Sequence, residues 1–279
     1  MGNSTIFRIF AKNLNDTDMY IVVPTDFSPN AYNCGFFASS MLQGQYDATL
    51  LLYHVYEKEE DKSAVDAQMQ LMKDKILEQN LIKIESYAET GDNMVDCLEK
   101  KLKHIDAALL VMGISEKSRM EQVFSGSNAV KMIERNICPV LVVPHDARFH
   151  EIKNVALACD FKEDVESSIP ALPVKRVLNI FKPQVHVVNI NSEIYVSLTE
   201  ETLAQRGKLV NMFSDFSPEF YFITTYDFHE SLRQFIHDKK IDMVLTFPRK
   251  HSFLDNLMKT SNTRKLVYES SIPVLAAHE

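Results

Sequence analysis

The 279-residue sequence has only four cysteines, Cys34, Cys97, Cys138 and Cys159, and no two of them stand as C-x-x-C or at metal spacing from a histidine. That excludes a disulfide scaffold and a zinc module, and leaves reduced, mostly buried thiols as the expectation. Cys34 is a lone thiol in a helical segment with nothing beside it to activate it. The nine histidines form no H-x-x-x-H or H-x-H arrangement, so no metal site is expected. A G-x-S-x-G elbow, a P-loop G-x-x-x-x-G-K-[ST] and an early G-x-G-x-x-G are all missing, and with them the common signatures of hydrolases, phosphate-loop enzymes and dinucleotide binders. No apolar run reaches the roughly 18 residues a membrane span needs. Residues 1–18 lack the apolar core of a signal peptide, and Ile6 stands where a myristoylation motif after Gly2 wants Ser or Thr. Positive charge is short too. A net charge of -8 disfavours partners such as nucleic acid or an anionic membrane, both of which call for a basic face. A cytoplasmic protein is the expectation.

What is present is ordinary globular composition, 46% hydrophobic and 24% charged, in a chain long enough for two domains. The sequence also repeats itself. Tyr20-Ile-Val-Val-Pro-Thr-Asp-Phe27 resembles Asn154-Val-Ala-Leu-Ala-Cys-Asp-Phe161, and Asp26 and Asp160 are 134 residues apart. Pro139 and Pro273, each followed by Val-Leu, are again 134 apart, and Thr90 and Leu98 fall on Thr224 and Leu232 at the same offset. Only at the second apolar run does the register slip, with His54 on Asn189 at 135. One offset held along a whole domain means a duplication.

Each copy alternates short, nearly continuous apolar runs with amphipathic segments. The runs fall at residues 19–23, 49–55, 82–87, 107–112 and 140–143, then 155–158, 185–190, 221–224, 243–246 and 274–277. Such runs fit strands buried on both faces. Helices are predicted over 29–42, 64–79, 93–104 and 128–135, and over 164–179, where Pro170 and Pro173 require a kink or a late start. The fold class is therefore α/β: two tandem Rossmann-like, open parallel five-stranded sheets with helices on both faces and right-handed crossovers. Ligands of such sheets lie beyond the carboxyl ends of the strands, where strand order reverses. The joining segment, about 145–153, is short and carries Asp146 and His150 but no Gly or Ser tract, so the copies should pack together.

The segment after the fourth strand bears the candidate site. Gly113 ends the strand, a polar loop follows, and Gly126-Ser127-Asn128 opens a helix. The first N–H groups of a helix lack internal partners and favour an anion, and a glycine lets it approach the backbone. The same residues also make an ordinary helix cap. In this place the chain resembles the universal stress proteins, which carry G-x2-G-x9-G-[S/T] before a helix and a final strand opening Cys-Pro-Val. Gly113, Gly126-Ser127 and Cys138-Pro-Val-Leu-Val-Val match that pattern, and Pro24-Thr25-Asp26-Phe27-Ser28 resembles the family's first-strand turn. The resemblance runs from Met19 to the end, once per copy. It implies strand order 3-2-1-4-5, contact between domains through the fifth strands, and a cleft for ATP or another adenine nucleotide with Mg²⁺. It also implies cofactor-binding roles for Pro24, Thr25, Asp26, Val55, Gly113, Gly126, Ser127 and Asn128. Asp26 would meet ribose, Val55 would line the adenine slot, and Ser127 and Asn128 would meet the phosphates. Asp26 also reads as a simple turn residue, and His54 as a structural histidine near the cleft.

The sequence departs from the pattern at Glu116, where the family has its second glycine, with Lys117 and Arg119 following. In the second copy Phe247, Lys250 and Thr260 replace Gly113, Glu116 and Gly126. Thr260-Ser261-Asn262 keeps capping chemistry, but both glycines are lost, and the basic run Arg249-Lys250-His251 reads as a solvated loop. The expected organisation is thus an extension 1–18, a domain 19–146 with a nucleotide site, and a domain 152–279 with a degenerate one. The two form an intrachain pseudo-dimer through their apolar fifth strands, with a homodimer of such chains as a further level. A stress-response regulator responding to nucleotide occupancy is the first reading. A nucleotide-free interaction or chaperone-like protein acting on other protein partners is the second. A slow nucleotide hydrolase ranks last, because no residue offers a convincing base or nucleophile.

Overall fold

The computed structural model describes residues 19–114, 128–159, 161, 164–191, 199–224, 228–247 and 272–277. The first half runs β1 (Met19–Pro24), α1 (Pro29–Met41), β2 (Ala48–Tyr56), α2 (Lys62–Leu77), β3 (Lys83–Thr90), α3 (Met94–Ile105), β4 (Leu109–Gly113), α4 (Asn128–Arg135) and β5 (Val140–Val143). The second runs β6 (Asn154–Ala158), α5 (Val165–Ser168), α6 (Ala171–Phe181), β7 (Gln184–Asn191), α7 (Glu200–Met212), β8 (Glu219–Thr224), α8 (Phe228–Asp238), β9 (Met243–Thr246) and β10 (Val274–Ala276).

Alternation within the buried strands builds the layers. Ile21, Leu50, Leu109 and Leu141 face one side, where they meet Phe37 and Met41 of α1 and Met72 and Ile76 of α2. Val22, Leu51, Leu110 and Val142 face the other, against Leu98 and Leu102 of α3 and Met132 and Ile133 of α4. Helices therefore cover both faces of a mostly parallel sheet. Proline acts as expected on the first helix of the second half: Pro170 separates α5 from α6, and Pro173 sits in the first turn of α6, where its missing N–H costs nothing.

The expectation of two separate five-stranded sheets is corrected. One ten-stranded sheet runs in the order β3-β2-β1-β4-β5-β10-β9-β6-β7-β8. It is parallel within each half, and the halves join where β5 and β10 run antiparallel, with Val142 opposite Val274 and Val140 opposite Ala276. The physical reason lies in those two strands. They are short, wholly apolar and buried, so pairing their open N–H and C=O edges with each other removes two edges that water would otherwise have to satisfy. The outer edges, β3 and β8, carry Lys83, Glu85, Glu89 and Glu219 and stay in solvent.

Local geometry repeats at the sequence offset. Phe27 and Phe161, after the first strand of each half, both take positive φ, 60° and 56°. Asp106 and Lys240, which each follow a helix, do the same at 51° and 49°. In one half His54 holds the Thr25 carbonyl at 2.7 Å; in the other Asn189 holds the Cys159 carbonyl at 2.9 Å. The joining segment is pinned rather than loose. Asn33 of α1 donates to the Pro144 and Ala147 carbonyls at 3.2 and 3.1 Å. Phe149 lies edge-on to Phe37 at 5.3 Å and tilted to Phe181 of the second half at 6.4 Å. Among the thiols Cys34 is buried and the other three are half-buried. Burial pushes Cys34 and Cys138 each up to about 12, so neither is activated.

Candidate functional site

Strand order reverses between β2-β1 and β4-β5, and a cleft of about 960 Å³ opens there, at the carboxyl ends of β1 and β4. Its wall contains six of the eight residues singled out by sequence: Pro24, Thr25, Asp26, Val55, Gly113 and Asn128. The other two, Gly126 and Ser127, lie outside the described residues, as do Glu116, Lys117 and Arg119.

The first-strand turn is held by its own side chains. Thr25 N–H donates to the Tyr53 carbonyl of β2 at 2.8 Å, and the buried Thr25 hydroxyl accepts from Phe27 N–H at 2.9 Å while donating to Met72 Sδ at 3.4 Å. Thr25 is therefore a framework residue. Asp26 is exposed; its Oδ1 accepts from Ser28 N–H at 3.0 Å, and its Oδ2 has no protein partner among the described residues. The turn reading of Asp26 and the ligand reading thus use different oxygens. Ser28, not Asp26, caps α1, accepting from Ala31 N–H at 3.2 Å. His54 donates through Nδ1 to the Thr25 carbonyl, and its ring lies 4.6 Å from that of Phe27. It is a structural histidine that fixes the turn.

Gly113 meets a steric demand. A Cβ there would lie 2.3 Å from Nδ2 and 2.6 Å from Oδ1 of Asn30, so only a hydrogen leaves room for that amide. Asn30 Oδ1 is buried without a hydrogen-bond partner among the described residues, an unspent acceptor in the cleft wall. Asn128 is the first residue of α4 and brings that helix's N-terminal end to the cleft. On the far side lie half-buried Val55 and buried Tyr53, whose hydroxyl donates to Glu89 Oε1 at 2.6 Å and whose ring stacks on Tyr87. Burial, reinforced by Glu89, holds the Tyr53 phenol well above its ordinary range. It stays protonated.

Sequence reasoning missed Asn30 and two residues of the joining segment, His145 and Arg148, all of which line the cleft. Asn30 follows Pro29 in a helix start that reads simply as a cap, and its contact with Gly113 spans 83 positions. His145 and Arg148 belong to a stretch read as linker, and no local pattern reports that it bends back across α1. In the second half the position of Gly113 is taken by Phe247, which is buried in the core. Asp160, Lys250, Thr260 and the Arg249–His251 run lie outside the described residues. Among those described, no cluster of His, Cys, Asp and Glu could hold a metal ion, and no helix is long and apolar enough to cross a membrane.

An α/β sheet with a cleft at its switch point belongs to the doubly wound architectures, whose ligands bind at that place. Residues 19–144 match the model of the universal stress protein family. No curated protein matches the sequence significantly. Among solved structures the chain is similar to a universal stress protein from Archaeoglobus fulgidus DSM 4304, at 14% identity over 96% of this chain and 98% of that one, with a TM-score of 0.62. It is also similar to a protein of unknown function from Pseudomonas aeruginosa PAO1, at 11% identity over 94% of this chain and 93% of that one (TM-score 0.58). A third similarity is to the cytoplasmic domain of a prokaryotic cation chloride cotransporter, at 11% identity over 94% and 96% (TM-score 0.55). At these identities the likeness is one of fold.

Proposed function

We propose that the chain is a tandem universal stress-type regulatory protein, with domains at 19–146 and 152–279, whose first domain binds ATP or another adenine nucleotide. The observation that carries this reading is the convergence of Pro24, Thr25, Asp26, Val55, Gly113 and Asn128 on one cleft at the strand-order reversal. The residues suit such a ligand. Val55 offers an apolar surface to a base, the free oxygen of Asp26 can accept from ribose hydroxyls, and the start of α4 favours an anion. A Mg²⁺ ion accompanying the phosphates would offset the charge of Glu116. In the second domain a buried phenylalanine stands where Gly113 makes room in the first, which supports a degenerate, nucleotide-free partner. The protein acts in the cytoplasm by changing shape or partners with occupancy, not by catalysis. The two domains act as a pseudo-dimer within the chain, and two chains pair into a homodimer.

Isothermal titration of the full chain with ATP and Mg²⁺ tests the reading. Saturable micromolar binding that Gly126→Val abolishes supports it. Absence of heat from a well-folded sample defeats it in favour of a nucleotide-free interaction protein, and phosphate release lost on changing Asp26 would make the protein a hydrolase instead.

A further inference from the structure

The joining segment does more than connect the halves. It returns over α1, and Arg148 reaches the cleft wall. Its Nη1 donates to Asn33 Oδ1 and, at 3.2 Å, to the Ala147 carbonyl. Asn33 is itself buried and already holds the segment through its Nδ2 bonds to Pro144 and Ala147. A guanidinium has five N–H donors in a rigid plane. Two are used here, both on Nη1, so Nη2 and Nε keep the edge that suits a bidentate oxyanion. No carboxylate among the described residues pairs with Arg148, although the chain carries an excess of acid. Among the described residues of the cleft wall Asp26 is the other fixed charge and repels anions, so an acidic ligand group has reason to orient towards Arg148.

We propose that Arg148 is an anion-binding residue of the cleft, taking the phosphate or other acidic end of the ligand, and that through it occupancy is felt at the contact between the halves. The proposal rests on the nucleotide reading above for the ligand class. The coupling follows from position. The next residue, Phe149, packs between Phe37 of the first half and Phe181 of the second, so a pull on Arg148 acts on that aromatic contact.

The test compares ATP with adenosine, which lacks the acidic group, on the full-length chain carrying Arg148, Arg148→Gln or Arg148→Lys. Calorimetric Kd values are measured at low and high salt. Expected are a ten-fold or greater loss of ATP affinity in Arg148→Gln, a smaller loss in Arg148→Lys, which keeps charge but not the fork, and adenosine affinity within two-fold of the unaltered protein. The salt dependence of ATP binding should flatten in Arg148→Gln. Because Arg148 also donates to the buried Asn33 Oδ1, the variants should melt a few degrees below the parent, and a single cooperative transition in each certifies folding. Equal ATP affinity in all three chains overturns the proposal while leaving nucleotide binding intact. Equal losses for ATP and adenosine would make Arg148 a support of the cleft wall and likewise overturn it. Failure of the unaltered protein to bind either compound removes the nucleotide reading itself, and this proposal with it.

Discussion

At the scale of single residues, the cleft is decided by one missing methyl group. Gly113 has an ordinary backbone conformation, so nothing about its φ forbids alanine; the nearest obstacle is the amide of Asn30. An Ala at 113 must displace that side chain or push β4 away from α1, and overpacking of this kind costs about 1–3 kcal/mol. Urea denaturation of Gly113→Ala should show that loss, and adding Asn30→Ala in the same chain should recover most of it, because the collision partner is then gone. A double variant as unstable as the single one would place the strain elsewhere. The pair also bears on what was legible. That a glycine ends β4 was plain in the sequence; the steric reason for it was not, because the atom it avoids belongs to a helix 83 positions earlier. Asp26 teaches the complement. Its Oδ1 is used in the turn, while its Oδ2 has no protein partner among the described residues, so the turn role leaves one carboxylate oxygen unused.

At the scale of elements, strands were legible because a buried parallel strand has no polar face to interrupt its apolar run, and each predicted run coincides with a strand to within a few residues. The split before α6 followed from Pro170 for an equally local reason. Pairing is less local, and the end of β7 shows what it creates. His186 is buried on β7, with Nε2 beside Asn154 Oδ1 at 3.1 Å, Tyr221 of β8 against its ring, and Glu219 3.8 Å from Nδ1; Lys239 faces it after α8. Burial is the main influence and lowers its pKa, opposed by Glu219 and aided by Lys239. The sign follows directly. The unfolded chain takes up the proton first, at the ordinary histidine value of about 6.5, so the contribution of neutral His186 is fully present above that pH. It is lost as pH falls from there towards the folded value. Melting temperatures at pH 7.5 and 5.5 should therefore differ more in the parent than in His186→Asn, which keeps a hydrogen-bonding side chain but cannot titrate. An unchanged difference would mean that protonation is absorbed by Glu219 without cost.

At the scale of the whole molecule, the sequence offers a repeated offset and two apolar last strands, but nothing in either strand says whether it is covered by the other, by a second chain or by a helix. The structure joins them, and the consequence is mechanical. Leu141, Val143, Val155, Leu157, Leu245 and Leu275 form one continuous apolar face across the seam, with Ala147 and Ile152 of the joining segment set into it. Two domains that met through a wet interface would unfold separately. Here, losing one half strips the other of a strand partner and of part of its core, so the chain should open as a single unit. Leu275 is the place to ask, because it is fully buried on β10, pairs with Leu141 of β5 and is remote in sequence from the first half. Leu275→Ala should cost about 2–5 kcal/mol, the range for emptying a close-packed leucine site. The informative readout is hydrogen exchange at two amides in interior strands, Val22 in β1 and Leu157 in β6. If the sheet is one cooperative body, both lose protection by the same amount in the variant, although Val22 lies in the half that was not altered. If only Leu157 loses protection, the seam is a contact between independent halves, and the aromatic link through Phe149 has no route by which to carry a signal from the cleft.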